Sequence, residues 1–541
     1  MKSVAHVRSI VPSLPCGCAA MFLTLAVALG TTIAPRNACA AGTYYVDVDN
    51  PNANDAGPGT EAEPYRTIGT ADHIRGGPGT TILVKPGTYF EDVRIDHSGS
   101  AAEPYVIRAS GTGVVMIGTG PANSYNAFRL YQKHDVVIEG FEIQSYFVGI
   151  YLFQTTAATI RGNRISQMTT QGINVSYGNA RIEGNTVFLN GDHGIVLLGS
   201  PGSQVIGNES YSNGGTNHPA ANGIRAFDSA RCRFERNRLH NNADSGLDLS
   251  AAFDALSIQN ISWNNGDHGF SVLNSSGSRQ LNDVAWNNNH DGFSFEGGST
   301  RCQMWNCIAV DAGTQGYHCV FVDSSSTEGH QSNYNIVWSV TGSSPVRYGG
   351  VTYPTLYAFQ QATGLDGASR QSNPLFVDPT AGDFHVQSGS KAIDSGFSGL
   401  PDWPLTDASG APRNDDPGTP NSGLGPITYS ERGALEFVRS GPVAVEDRLV
   451  TRIALGQPFP NPGRSAIAAS LELPRGGRVV WSVRDVTGRT VWQESAELAA
   501  GRSMLRWSGS DASGRAVPPG VYVLSVEAGG SSAARRFAVV R

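Results

Sequence analysis

Carboxylates, histidines and one arginine recur at fixed offsets from a repeated glycine, and chemistry could sit at that corner. The glycines are Gly149, Gly172, Gly194, Gly223, Gly246, Gly269, Gly292 and Gly316. Two residues before them stand Asp192, Asp244, Asp267 and His290; one before, His193, Ser245, His268 and Asp291; two after, Arg225, Asp248 and Ser271. If successive repeats stack about 4.8 Å apart, Asp244, Asp267 and Asp291 form a tight acidic line. Like charges that close repel unless a proton or a cation intervenes. Calcium suits such a line because it takes several oxygen ligands in loose geometry. Asp244, Asp267 and Asp291 are therefore candidate metal ligands. Histidine has a reference pKa near neutrality, so His268, flanked by Asp267, is the better candidate base. Arg225 is the other, although arginine is a poor base by its reference pKa. Asp192, His193 and His290 are the candidate substrate contacts. The competing reading is structural, because Asp and His beside turn glycines commonly bond the local backbone.

The elements that must position these residues follow from the spacing. The glycine intervals are 23, 22, 29, 23, 23, 23 and 24 residues, a period typical of a solenoid. Each repeat holds two or three short alternating apolar stretches separated by Asn, Gly and Asp, and no helical period runs through the region. The predicted fold is all-β: a parallel β-helix over 43–340, with 43–125 as its first coils and cap. An asparagine column (Asn163, Asn185, Asn208, Asn237, Asn260, Asn306) should stack into an internal ladder, broken at Asp283. The extra residues between Asn208 and Gly223 read as a loop bulging from one coil, either a binding-face insertion or a plain spacer. Trp263, Trp286 and Trp305 recur one per coil, as buried packing or as stacking surfaces for sugars. Residues 341–440 should complete and cap the β-helix, with Thr352–Ser369 as the one helix. Residues 441–452 form a linker, and 453–541 a separate sandwich of seven short strands joined by turns such as Asp485-Val486-Thr487-Gly488-Arg489.

Composition narrows the partners. A net charge of −7 with 16% charged residues leaves no basic stripe for nucleic acid. Lys2 and Arg8, the apolar run Ala19–Ala34 and Ala38-Cys39-Ala40 read as a signal peptide over 1–40 cleaved near Ala40, which implies a secreted or cell-surface protein. The mature cysteines, Cys232, Cys302, Cys307 and Cys319, fit no zinc motif; one disulfide among the last three and buried free thiols are both open.

The run from Tyr44 through Gly59-Thr60, Pro64-Tyr65-Arg66-Thr67-Ile68 and Val84-Lys85-Pro86-Gly87-Thr88-Tyr89 resembles the N-terminal segment of bacterial right-handed β-helix proteins, including the family-nine pectate lyases; with the coils, the resemblance reaches about residue 340. It implies a coil whose aspartates, two before, one before and two after the glycine, hold calcium with an aspartate of the previous coil, and a lysine base on a later coil. Asp244 and Asp248 match, but Ser245 and Asn222 stand at the other two positions. No lysine occurs between Lys133 and Lys391, so the implied base is missing. The C-terminal region, through Asn461-Pro462, Asp485, Gly488-Arg489, Trp507, Asp511, Gly514-Arg515 and Pro519-Gly520-Val521-Tyr522, resembles the immunoglobulin-like domains of flagellar hook-capping proteins and secretion-sorting domains. That implies contact with secretion machinery or a cell surface.

The resulting expectation is an exported β-helix protein that binds an acidic uronate polysaccharide and cleaves it by calcium-assisted β-elimination. The alternatives are a non-catalytic surface adhesin or structural solenoid, and a glycoside hydrolase or uronate epimerase on the same fold.

Overall fold

The computed structural model describes residues 41–118, 125–215, 218–311, 316–439, 453–458, 461–463, 466–499 and 501–540. The expected signal peptide and the linker 441–452 lie outside the described residues.

Three 12-stranded sheets run the length of a parallel β-helix, each coil giving one short strand to each sheet. The first begins at Thr43–Val46, the second at Gly87–Tyr89 and the third at Val93–Ile95. Pairing is parallel throughout, except that Val351–Tyr353 folds back antiparallel on Val346–Tyr348 at the end of the third sheet. Parallel crossovers of this kind are right-handed. Alternation decides which residues face inward. Ile150, Ile173, Ile195, Ile224, Leu247, Phe270 and Phe293 stack in register along the third sheet, each no more than 1% exposed. Burying each such side chain is worth about 1.5–3 kcal/mol, which is how many three-residue strands sum to a stable core.

Polar ladders hold the corners. Asn185 Oδ1 accepts both the backbone N–H (2.9 Å) and the side-chain N–H (3.0 Å) of Asn163, and Asn208, Asn237 and Asn260 repeat the pattern. Asp283 does not break this column: its Oδ1 accepts from Asn260 N at 2.7 Å and Nδ2 at 3.1 Å. The next position is Cys307, whose N–H donates to Asn335 Oδ1, so Asn306 is off the column and bonds Phe397 instead. A second ladder, Asn190–Asn213–Asn242–Asn265–Asn288, escapes the sequence reading because it is offset by five residues from the first.

The glycines are required for space. A Cβ on Gly246 would lie 2.0 Å from Ser262 Oγ and 2.9 Å from the Gly269 carbonyl, and Gly194 and Gly269 are equally confined. The column ends differently from the spacing: Gly292 N bonds His318 O and Phe293 N bonds Cys319 O, so Cys319 takes the glycine's place and Gly316 lies outside.

There are two helices among the described residues. Ile68–Arg75 covers the first coils with Ile68 and Ala71, and is N-capped by Thr67. With only three buried positions in eight residues it left too weak a period to be read. Leu356–Thr363, shorter than the expected 352–369, seats Leu356 and Phe359 in the same core and ends at left-handed Gly364. Beyond it the chain turns back along the second sheet. Phe376, Phe384, Val386, Ile393 and Phe437 pack on Ile261, Trp263, Val284, Ile308, Val310 and Ile336. Residues 341–439 therefore clothe a flank as well as an end. Trp263 and Trp286 pair in register beneath Phe384, whereas Trp305 belongs to the first sheet, beside Phe397. Packing is thus their use. Cys232, Cys302, Cys307 and Cys319, the four cysteines among the described residues, are free and buried.

At the C-terminus a three-stranded and a four-stranded antiparallel sheet share one apolar core that includes Trp481, Trp507, Tyr522 and Phe537. The Asp485 and Asp511 turns match: each Oδ1 accepts the N–H four residues on, from Arg489 at 3.1 Å and Arg515 at 3.0 Å.

Candidate functional site

The third sheet presents two outward columns at the predicted corner. Val196, Arg225, Asp248, Ser271 and Ser294 follow one another up five coils; Leu198, Phe227, Ser250, Leu273 and Glu296 do the same two residues further along each strand. The turns before these strands carry the remaining candidates.

Residues directly before the glycine form a third polar ladder. His193 Nδ1 accepts the Asn222 N–H at 2.9 Å, and Asn222 Oδ1 accepts the Ser245 N–H at 2.9 Å. His268 Nδ1 accepts the Asp291 N–H at 3.2 Å, and Asp291 Oδ1 accepts the His318 N–H at 2.6 Å. Histidine and aspartate here do the work of asparagine. A ring whose Nδ1 accepts a backbone N–H carries its neutral-state proton on Nε2. His268 Nε2 lies 3.7 Å from Asp267 Oδ1 and 3.6 Å from Glu296 Oε1, facing both carboxylates. It therefore offers no lone pair to a substrate, against the sequence expectation of a base. Burial holds His193 down at about 4, with Arg225 and His218 adding to the effect against the pull of Asp192, so it is neutral at ordinary pH. Asp291, 4% exposed, is committed to the ladder and stands 3.6 Å from His268 and 3.4 Å from His318.

Two residues before the glycine the column is different in kind. Asp192 accepts from Gln171 Nε2 at 2.8 Å and is separated from the other acids by the Ala221 coil. Asp244 and Asp267 are neighbours on consecutive coils, tied by the Asp267 N–H to the Asp244 carbonyl at 3.3 Å. Burial, then the contact with Asp267 and the charges of Asp267 and Asp248, push the Asp244 carboxyl up to about 7. His290, one coil on, places Nδ1 against Asp267 Oδ1, and its ring stacks on Tyr317 at 3.8 Å and 13°. Asp248 is 8% exposed; Ser250 Oγ donates to it at 2.9 Å and Arg225 Nε lies 3.5 Å away. Burial raises its pKa, while Arg225 and the serines pull it back. Arg225 also reaches His193 Nε2 at 3.5 Å.

The structure thus brings Asp244, Asp248, Asp267, His290 and Arg225 to one open corner. It draws His193, His268 and Asp291 into the backbone ladder. Donor atoms of Asp267, His268 and His290 lie within 4.8 Å of one another, a spacing a metal ion could bridge, but the protonated Nε2 of His268 takes that ring out of the set. That leaves Asp267 and His290 of the set; the carboxylates of Asp244 and Asp248 lie outside it, though both act electrostatically on this corner, and carboxylate oxygens are the donors that a hard cation such as calcium takes. Ser250, Glu296 and Tyr317 were missed from sequence. The first two were findable by alternation, but Tyr317 was hidden because Cys319 replaces the glycine that would have marked it.

The model of the Pel9A-like right-handed β-helix region matches residues 44–333, just over half of the chain. The chain belongs to this Pel9A-like β-helix family. Among solved structures, pectate lyase Pel9A aligns over 73% of this chain and 96% of its own, at 17% identity and a TM-score of 0.45. The A-module of the Azotobacter vinelandii mannuronan C-5 epimerase AlgE4 aligns over 61% and 100%, at 15% and 0.43. An alginate lyase from Paenibacillus sp. str. FPU-7 aligns over 44% and 90%, at 15% and 0.37. At these identities the likeness is one of fold. The uncharacterised YwoF of Bacillus subtilis (strain 168) is 31% identical over 190 residues, 29% of this chain and 40% of the relative, so the chain spans well under half of that protein.

Proposed function

We propose that this corner binds an acidic, uronate-containing polysaccharide and cleaves it by β-elimination with calcium. The observation that carries the reading is the Asp244–Asp267 pair: two half-buried carboxyls on adjacent coils that must hold either a proton or a cation between them. Asp244, Asp248 and Asp267 are the residues that would hold calcium. When bound, it would neutralise the uronate carboxylate and so acidify the neighbouring C–H. Arg225, a third exposed and one coil earlier, is placed to pair with a second carboxylate along the polymer.

The proton acceptor in this reading is His290. Asp267 engages its Nδ1, which fixes the tautomer and leaves the Nε2 lone pair free, and Tyr317 holds the ring by stacking. Nε2 takes the proton beside the carboxylate, that C–H electron pair becomes the new C=C bond, and the glycosidic C–O bond breaks. The leaving oxygen collects a proton from water. Incubating the full chain with polygalacturonate and with alginate, with and without calcium, tests this. The expected result is calcium-dependent growth of the ultraviolet absorbance of an unsaturated sugar end; no such product from folded protein on any uronate polymer would overturn it.

A further inference from the structure

The two outward columns that carry Arg225 and Asp248 continue in unbroken register toward the N-terminal coils, and there they turn aromatic. One column runs Arg129, Tyr151, Asn174, Val196, Arg225, Asp248, and the other places Tyr131 and Phe153 ahead of Ser176, Leu198 and Phe227. Tyr131 and Tyr177 are 41% and 57% exposed, and Tyr151 and Phe153 are half-buried between them. The rings form a chain over three successive coils: Tyr131–Tyr151, Tyr131–Phe153 and Phe153–Tyr177 all lie at 5.8 Å. Hydrogen-bonding edges are interleaved with them. Gln132 Nε2 donates to Gln154 Oε1 at 2.8 Å, Ser176 Oγ donates to Asn174 Oδ1 at 2.8 Å, and Arg129 stands directly beside Tyr151 in the column.

We propose that Tyr131, Tyr151, Phe153 and Tyr177 form a distal subsite that stacks the sugar rings of the same polysaccharide, laid along the helix axis. This rests on the function proposed above and adds to it where the rest of the polymer goes. A sugar ring has apolar C–H faces and hydroxyl edges, and this surface offers aromatic faces with amides and a guanidinium between them. A lipid surface or an apolar protein face would call for an uninterrupted apolar patch. Arg129 pairs through Nε with Asp92 at 3.1 Å, and the two terminal nitrogens of its guanidinium match a uronate carboxylate. Four coils separate Tyr151 from Asp248, so the subsite lies roughly 19 Å from the acidic corner at ~4.8 Å per coil, with coil spacing comparable to the length of one sugar ring. Only a polymer can reach both.

The test compares the full chain with its Tyr151→Ala/Tyr177→Ala double variant, measuring polygalacturonate and alginate affinity, calcium affinity and thermal unfolding on the same samples. Polymer affinity is expected to fall about tenfold, with calcium affinity and unfolding temperature unchanged. Equal polymer affinity in the two proteins overturns the subsite while leaving the acidic corner standing. If sedimentation shows instead that the variant loses self-association with polymer affinity intact, the face serves a second copy of the chain and the proposal fails. A parent protein that binds neither polymer removes the function and the subsite together.

Discussion

At the scale of single residues, the side chains divide by which backbone they serve. His268 and His193 sit in the same Gly-Asp-His-Gly sequence, and in both the ring nitrogen that matters is taken by the next coil's N–H. His290 has no such duty and is paired by its aspartate instead. Replacing His290 with Gln should lower the elimination rate by roughly 10²–10⁴-fold, whereas His268→Gln should act mainly on thermal stability; product kinetics and unfolding scans on both variants separate the two. Sequence could not make this distinction. His193 and His268 stand one residue before the glycine and His290 two, but spacing alone does not say which of these positions the next coil's backbone uses.

Asp283 gives a second residue-scale prediction. It occupies an asparagine position with Oδ2 buried and unpartnered, and burial pushes its pKa from 3.8 up to about 7. The native state then holds a proton that the unfolded chain has lost, so stability should fall as pH rises from about 4 to about 7. Asp283→Asn supplies the missing donor and removes the titration. It should raise stability at pH 8 by about 1–3 kcal/mol and change little at pH 4, as read by denaturant unfolding at the two values.

At the scale of elements, the coils were the most legible part of the chain, because the constraint that makes them is steric and repeats. Gly246→Ala should destabilise by about 1–3 kcal/mol, since its Cβ would meet Ser262 Oγ at 2.0 Å on a neighbouring strand that cannot move alone. Thermal unfolding measures this; an unchanged midpoint would mean that the coils give way more easily than their packing implies. Legibility failed where one residue type stood in for another. Cys319 replaces the last glycine and Cys307 the asparagine, so a search by identity drifts to Gly316 and Asn306. It failed again at Ile68–Arg75, too short to show a period, and at the backfolded segment, whose contacts, such as Phe384 on Trp263 and Trp286, are distant in sequence.

At the scale of the whole molecule, the β-helix is a scaffold whose second sheet is clothed and whose third carries the acidic corner and the aromatic chain. The clothing is structural. A chain ended at residue 345 bares Ile261, Trp263, Val284, Ile308, Val310 and Ile336 and should lose soluble yield, whereas one ended at 440 keeps that cover and should retain calcium binding. The C-terminal sandwich has its own core, and we propose for it the attachment or sorting role that its sequence resemblance implies. Fractionating cells that express the full chain and the 440 truncation would test this: loss of surface or secreted protein on truncation is expected, and unchanged distribution contradicts it.

The proposed function requires the Asp244–Asp267 pair to exchange a proton for a cation, and calcium titration by calorimetry at pH 8 and pH 6 tests that most directly. Because the Asp244 carboxyl titrates at about 7, calcium must displace a proton at pH 6 but not at pH 8. Binding should be about tenfold tighter at pH 8, and Asp244→Asn should abolish both the affinity and its pH dependence. Calcium binding that ignores pH, or that survives in Asp244→Asn, would contradict the account.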